Sequence, residues 1–343
     1  MNAPHTAAEI LTIQEKQALL VSALSPILAE DALLWQPEDT IPYECDGLAA
    51  YRKMPLAVAL PETEDQVVRI LKACHAMQIP IVPRGSGTGL SGGAMPIEQG
   101  LVLSLAKFKK ITKIDPFTRT AVVQPGVRNL AISEAVAKHG LYYAPDPSSQ
   151  IACSIGGNVN ENSGGVHCLK YGLTLHNVLR VRAVLMNGDV VEFGGMAPDA
   201  PGLDLLAVLI GSEGMLGIVT EITVKLVPKP KLARVIMASF DDIEKGGNAV
   251  AAIIAAGIIP AGLEMMDRAT TRAVEEFVHA GYDLDAEAIL LCESDGTPEE
   301  VEEEIARMNA VLEQQGASRI QVSQNEVERL RFWSGRKNAF PAA

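Results

Sequence analysis

The sequence predicts an α+β fold in two parts. Short apolar runs of strand character alternate with amphipathic helical stretches along most of the chain. Asn187-Gly188 stands between the apolar runs 178–186 and 190–193, a strong signal for an antiparallel hairpin. The segment Pro-Lys-Pro-Lys at 228–231 interrupts the chain, and the pattern after it is cleaner than the pattern before. A length of 343 residues leaves room for about two domains. With 48% apolar and 21% charged residues, the composition is that of a folded globular chain, not a disordered, collagen-like or disulfide-built one.

Residues 8–31 read as one or two short amphipathic helices, followed by the polar, Pro-containing segment 35–47. The Pro-bounded run 54–61 reads as a strand. At 63–77, Thr63 and Gln66 fit a capping box, and Val67, Ile70, Leu71 and Cys74 fall on one helical face. Strands are expected at 79–83, 101–105, 111–114 and 120–124, and a helix at 128–139 that stops at Gly140. Beyond the hairpin, strand 218–227 closes on Pro228 and Pro230. After the linker come strand 232–240, helices 241–256 and 267–279, strand 288–293, helix 298–314, strand 318–322 and helix 325–340. Thr297, Pro298 and Glu300 give helix 298–314 its start. The chain thus divides into a helical segment, 1–50, a first domain, 51–230, and a second, 231–343.

The net charge of −13 argues against nucleic acid as a partner, because an acidic surface repels phosphate backbones. Residues 231–343 carry 20 acidic and 11 basic side chains, so an anionic ligand there needs a specific local cation. Five cysteines, an odd number with no Cys-x-x-Cys, fit reduced thiols. Glu9 and Glu15 interrupt the N-terminal apolar stretch, unlike a secretory signal. The longest apolar run, 249–263, contains Pro260 and is too short to span a bilayer. These features point to a cytoplasmic protein with at most peripheral membrane association.

Twelve of the 29 glycines sit in three windows: 85–93, 156–165 and 211–217. Glycine costs backbone entropy, so such clusters point to backbone amides approaching a ligand closely. The first window contains Gly87-x-Gly89-x-x-Gly92, but a Pro and a strand follow it instead of the helix a dinucleotide fingerprint requires, and no Gly-Lys-Ser/Thr is present for a phosphate-binding loop of the Walker type. A strand, a glycine-rich turn and another strand still suit a pyrophosphate, with Ser86, Thr88 and Ser91 as further donors. The second window lies in a long segment of little periodicity, 144–172, whose Asn158, Asn160, Asn162, Ser154 and Ser163 suit a planar polar ligand. His167 and Cys168 have no second ligand at metal spacing, so neither is assigned to a metal or a nucleophile, and no metal site is expected. Glu213, in the third window, suits either capping of that turn or a ligand.

In order and spacing, PRGSGTGLSGGA, APDPSSQIACSIGGNVNENSGGVHCLKYG, GSEGMLGIVTEITVKLVPKP and WSGRKNAFPAA resemble the FAD-binding subunit of bacterial glycolate oxidase and related D-lactate dehydrogenases, whose FAD domain is of the p-cresol methylhydroxylase / vanillyl-alcohol oxidase (PCMH/VAO) type. The resemblance covers essentially the whole chain. It implies that 51–230 is a PCMH-type domain of two α+β subdomains holding FAD, and that 231–343 is an incomplete α+β substrate cap. Pro83, Arg84 and the Gly85, Ser86, Gly87, Thr88, Gly89, Leu90 loop would hold the pyrophosphate. Pro147, Ser148, Gly156, Asn160, Ser163 and Gly164 would line the flavin, Glu213 would stand by it, and Ile218 would meet the adenine end through its backbone. With no His in the first loop, the FAD would be non-covalent. Relatives continue well past the Phe-Pro-Ala-Ala at which this sequence stops. Their further part carries the histidines and glutamate that bind a divalent metal in several members. A metal is therefore expected only in a full-length form, and a chain ending here is expected to hold FAD weakly and turn over poorly.

The activity implied is oxidation of a small 2-hydroxy acid, glycolate or D-lactate, to the 2-oxo acid by hydride transfer to flavin N5. Electrons would pass to an iron–sulfur partner subunit, beside a second flavin-type subunit. That reaction needs the substrate carboxylate clamped and its hydroxyl proton removed. Arg336, on the last helix with Trp333 three residues before it and Phe340 four after, is the expected clamp, because a guanidinium holds a carboxylate bidentately. No base can be named. The same fold also serves other alcohol substrates, and a non-catalytic FAD-binding remnant would carry the same windows.

Overall fold

The computed structural model describes residues 11–197 and 202–342, and of Phe340 and Pro341 the backbone alone. They divide into two compact units. One comprises the chain up to His139, Ser149–Ser163 and Asn177–Leu226, and the other Gly140–Ser148, Gly164–His176 and the chain from Val227 onward. The 144–172 segment therefore passes from the second unit into the first and back.

The first unit contains two sheets. In the smaller, Ala57–Ala59 and Ile81–Arg84 both run parallel to Leu101–Ser104, and Leu33–Leu34 adds an antiparallel edge. Helix Glu64–Met77 starts at the Thr63/Gln66 capping box and lays Val67, Ile70, Leu71 and Cys74 into the core of this layer. Strands buried on both faces read as short unbroken apolar runs, which is why these parallel strands were legible. The larger sheet is antiparallel, in the order Ile111–Asp115, Thr120–Val123, Ile218–Lys225, Val178–Val184, Val190–Gly194. Its hairpin turns at Gly188, whose φ of +86° is open to glycine and costly for other residues. Among the described residues, helix Ile13–Leu24 starts on a Thr12/Glu15 capping box and a 3-10 turn follows at Glu30–Ala32, in the span 8–31 expected to hold one or two helices, of which 8–10 lie outside the described residues.

The second unit is built on one antiparallel sheet in the order Gly262–Asp267, Ala288–Gly296, Leu232–Phe240, Arg319–Val322. Period-2 alternation decides what each face packs. Ile236, Ala238 and Phe240 meet helices Ile243–Ala255 and Pro298–Gln314. Val235 and Met237 face the other way, into a core with Val274 of helix Arg268–Val278 and Phe332 and Trp333 of helix Glu326–Lys337. A two-residue ladder joins Leu141–Tyr142 to Val227–Pro228.

Two expectations are corrected. Strand Gly262–Asp267 was not anticipated, because its start merges with the apolar run 249–263 and its half-exposed residues lack clean alternation. The 144–172 segment is not structureless: it contains helices Ile155–Glu161 and Cys168–Tyr171. Two adjacent glycines and two asparagines hide the first of these, and close packing imposes it. A Cβ on Gly156 would stand 2.5 Å from Pro125 Cβ, and the Gly156 amide donates to the Pro125 carbonyl at 2.8 Å. Among the described residues no helix is long and apolar enough to cross a membrane.

Candidate functional site

In the first unit, strand Ile81–Arg84 runs straight into the first glycine window. Arg84 braces that loop. Its Nη1 donates to the carbonyls of Cys45 at 2.7 Å and Ala94 at 3.3 Å, and its guanidinium lies 5.6 Å from the Tyr43 ring centre. Burial pulls the Arg84 pKa down, and the nearby Asp46 carboxylate works against that. Asp46 accepts from the amides of Leu48 at 2.9 Å and Ala94 at 3.2 Å, so the loop is pinned at both ends. Gly87, at φ +69°, lies so close to Arg84 that a Cβ would stand 2.5 Å from Nη2.

The first and third glycine windows and the second as far as Ser163 meet in this unit. A Cβ on Gly85 would collide with Ser154 Oγ, one on Gly93 would stand 2.7 Å from Glu161 Oε1, and one on Gly214 would collide with Pro83. The third window is tied to the second by backbone bonds, from Gly211 N to Val159 O at 2.9 Å and from Glu213 N to Asn160 O at 2.8 Å. Helix Ile155–Glu161 is anchored by Asn158, whose side chain accepts from Asn129 at 3.0 Å and donates to Ser163 Oγ at 3.3 Å. Asn162 ends that helix at φ +50° and Glu213 turns the third window at φ +53°. Ile218 begins the central strand of the larger sheet.

Three buried side-chain atoms here have no hydrogen-bond partner among the described residues: Ser154 Oγ, Asn160 Oδ1 and Ser212 Oγ. Each such orphan costs about 1–3 kcal/mol unless something outside the chain satisfies it. Of the three, Ser154 lines a cleft of about 430 Å³, together with Gly85, Ser86, Lys109, Gly126 and Arg128. Bare backbone, two cations and the Ser154 hydroxyl suit a phosphate-bearing, polar ligand in this cleft. Burial pushes the Glu161 carboxyl up, and Glu213 and Asp46 add to it.

Pro147, Ser148, Gly164 and Arg336 belong to the second unit. Arg336 Nε donates to Glu264 Oε2 at 2.7 Å, through the strand the sequence did not disclose. Trp333 precedes it by three residues on helix Glu326–Lys337. The indole is buried, and its N–H donates to Glu293. The side chain of Phe340 lies outside the described residues.

The second unit also holds a charge network that sequence reasoning missed. His167 Nδ1 is 2.8 Å from Asp146 Oδ2, and Nε2 is 3.1 Å from Glu293 Oε1. Glu293 also accepts from Arg329 Nη1 at 3.0 Å and from Trp333. Along the same strand, Asp295 receives Lys170 Nζ at 2.6 Å and the Tyr171 hydroxyl at 2.7 Å. Burial opposes charge on His167, but the two carboxylate bonds outweigh it and push the pKa up to about 10. Burial likewise opposes charge on Glu293, and its bond to His167 and the Arg329 charge carry the pKa below the ordinary carboxylate value. The sequence signal was Glu293-Ser294-Asp295 continuing a buried apolar strand, where each carboxylate requires partners. Among the described residues, no three His, Cys, Asp or Glu side chains gather to hold a metal ion.

Residues 55–194 match the FAD binding domain family, and residues 229–343 match the C-terminal domain family of FAD linked oxidases. The chain is 61% identical to glycolate oxidase subunit GlcD of Escherichia coli (strain K12) over 90% of its length, spanning 62% of that protein. It is 44% identical to the GlcD subunit of Bacillus subtilis (strain 168) over 88% of its length, spanning 64% of that protein. To D-lactate dehydrogenase of Anaerostipes hadrus it is 33% identical, over 85% of this chain and 63% of that one. The chain thus spans less than two thirds of these relatives. Among solved structures, p-cresol methylhydroxylase with substrate bound superposes with a TM-score of 0.78 at 21% identity, over 93% of this chain and 69% of that one. Alkyldihydroxyacetonephosphate synthase superposes at 0.77 and 20% identity, over 94% and 63%. These likenesses establish the fold.

Proposed function

The chain belongs to the FAD-linked oxidase family, and from that premise we propose that it serves the FAD-dependent oxidation of a small 2-hydroxy acid, glycolate or D-lactate, to the 2-oxo acid. One observation carries the reading. The first and third glycine windows and the second as far as Ser163, far apart in sequence, come together in one unit, with Ser154 Oγ, Asn160 Oδ1 and Ser212 Oγ without a partner among the described residues. The loop from Gly85 to Leu90 presents amides for a pyrophosphate, and Gly156, Asn160, Ser163 and Ile218 supply backbone and polar groups for the rest of the cofactor. FAD, when bound, supplies the acceptor for the substrate hydride. The names of the relatives favour glycolate and D-lactate over other alcohols.

Arg336 binds the substrate carboxylate. Glu264 engages Nε and holds the guanidinium plane, and Nη1 and Nη2 have no partner among the described residues. Electrons leave to a partner subunit, in keeping with the word subunit in the names of the GlcD relatives. We place the protein in the cytoplasm, with partners that include an iron–sulfur subunit.

The test is anaerobic addition of glycolate, D-lactate or L-lactate to the FAD-loaded protein. Loss of flavin absorbance with glycolate or D-lactate supports the reading, and a flavin that no 2-hydroxy acid reduces contradicts it. Arg336→Ala is expected to raise KM for the acid about 10- to 100-fold, the worth of a charge-assisted hydrogen bond. An unchanged KM removes Arg336 from the clamp.

A further inference from the structure

Building on that cofactor reading, we infer that Lys109 and Arg128, with the Ser154 hydroxyl, recognise the cofactor's phosphates at the Gly85–Ser86 end of the first glycine window. All three line the cleft of about 430 Å³, and every residue of its lining belongs to the first unit. Ser154 is 2% exposed, and its Oγ has no hydrogen-bond partner among the described residues. It stands at the N-cap of helix Ile155–Glu161, yet its hydroxyl caps nothing. A buried hydroxyl in that state needs a partner from outside the chain.

Backbone bonds bring the two cations to that hydroxyl. Gly126 N donates to Phe108 O at 2.8 Å and Gln124 N to Lys110 O at 2.9 Å, so the turn that carries Lys109 is laced to the one that leads into Arg128. A Cβ on Gly126 would stand 2.5 Å from Leu105 O. Arg128 pairs with Ser154 in a β-bridge, flanked by bonds from Ile155 N to Val127 O at 2.8 Å and from Asn129 N to Cys153 O at 3.0 Å. Lys109 is exposed and has no side-chain partner among the described residues, unlike Lys107, which is tied to Glu62 at 2.8 Å. Arg128 donates Nη1 to Ile151 O at 3.2 Å, and its Nη2 lies 3.7 Å from Glu134 in a pair whose side chains are both about half exposed. Such a pair is worth little, so the guanidinium is open to a better anion.

The other end of the window carries the opposite sign. A Cβ on Gly93 would stand 2.7 Å from Glu161 Oε1 and 3.8 Å from Glu213 Cβ, and Asp46 accepts from the Ala94 amide at 3.2 Å. Arg84, the cation there, gives Nη1 to the carbonyls of Cys45 and Ala94. Like charge repels a phosphate from the Gly89–Gly93 end, and Lys109 and Arg128 draw it to the Gly85–Ser86 end. An ammonium and a guanidinium both suit phosphate oxygens, and the serine hydroxyl donates a further bond.

FAD is titrated by quenching of flavin fluorescence into the wild-type chain, Lys109→Ala, Arg128→Ala and Lys110→Ala, each at low and at high salt, with the apo forms melted alongside. Lys110 is the control: it is exposed, adjacent and absent from the cleft lining. Lys109→Ala and Arg128→Ala are expected to weaken FAD binding about tenfold or more at low salt. The loss shrinks at high salt, where the wild-type charges are screened. Lys110→Ala, with the same change of net charge, stays near wild type. If Arg128→Ala does not fold, Lys109→Ala, at an exposed position, decides. Wild-type affinity in either folded cleft variant, a loss that salt leaves unchanged, or an equal loss in Lys110→Ala overturns the inference and leaves the cofactor reading standing. A wild-type chain that takes up no FAD overturns both.

Discussion

His167 shows how a residue unremarkable in sequence acquires a defined state from its surroundings. Asp146 and Glu293 raise its pKa to about 10. A raised folded pKa contributes stability that is full below the unfolded value, near pH 6.5, and is lost as pH climbs through the folded value. Stability of the apo chain is therefore expected to fall between about pH 7 and 10, by at most about 1.4 kcal/mol per pH unit from this group. Asp146→Asn should flatten that slope, as measured by denaturant titration across the range. Glu293 has the opposite sign, because a lowered carboxylate pKa contributes above its unfolded value and is lost in acid. Trp333→Phe removes one donor from Glu293 and is expected to cost about 1–3 kcal/mol in the same titration. None of this was legible beforehand. The partners of His167 lie 21 and 126 residues away, and no local spacing announces them.

Elements with their own start chemistry were legible. Helix Pro298–Gln314 carries Thr297 and Glu300 in a reciprocal capping box, and helix Glu64–Met77 carries Thr63 and Gln66. Thr297→Ala is expected to destabilise by about 0.5–2 kcal/mol with FAD affinity unchanged, a check on how local the cap is. Elements made by tertiary contact were not legible. Strand Gly262–Asp267 exists because it pairs with Ala288–Gly296 from Gly262↔Glu293 to Asp267↔Ala288. Helix Ile155–Glu161 exists because Pro125 and Asn129, the first residue of helix Asn129–Val136, offer its glycines and asparagines partners. Local propensity carries little of either, so single-sequence patterning passed over both.

At the scale of the molecule, the glycine windows were legible as a set, because twelve glycines in three short stretches demand a common cause. The structure adds what brings them together: Ser154 against Gly85, Glu161 against Gly93 and Pro83 against Gly214, each closer than a Cβ's ordinary contact distance. It also shows that Pro147, Ser148 and Gly164 belong to a different compact unit from the other flavin candidates, because the chain changes unit twice within one segment. If the amides of 85–90 grip a pyrophosphate, FAD and riboflavin must be told apart by their phosphates. The most direct measurement is a pair of calorimetric titrations of FAD and riboflavin into the same protein. FAD binding one to one, with riboflavin about 100-fold weaker or more, is the predicted result. Riboflavin binding as tightly as FAD, or neither ligand binding, would contradict the pyrophosphate cradle.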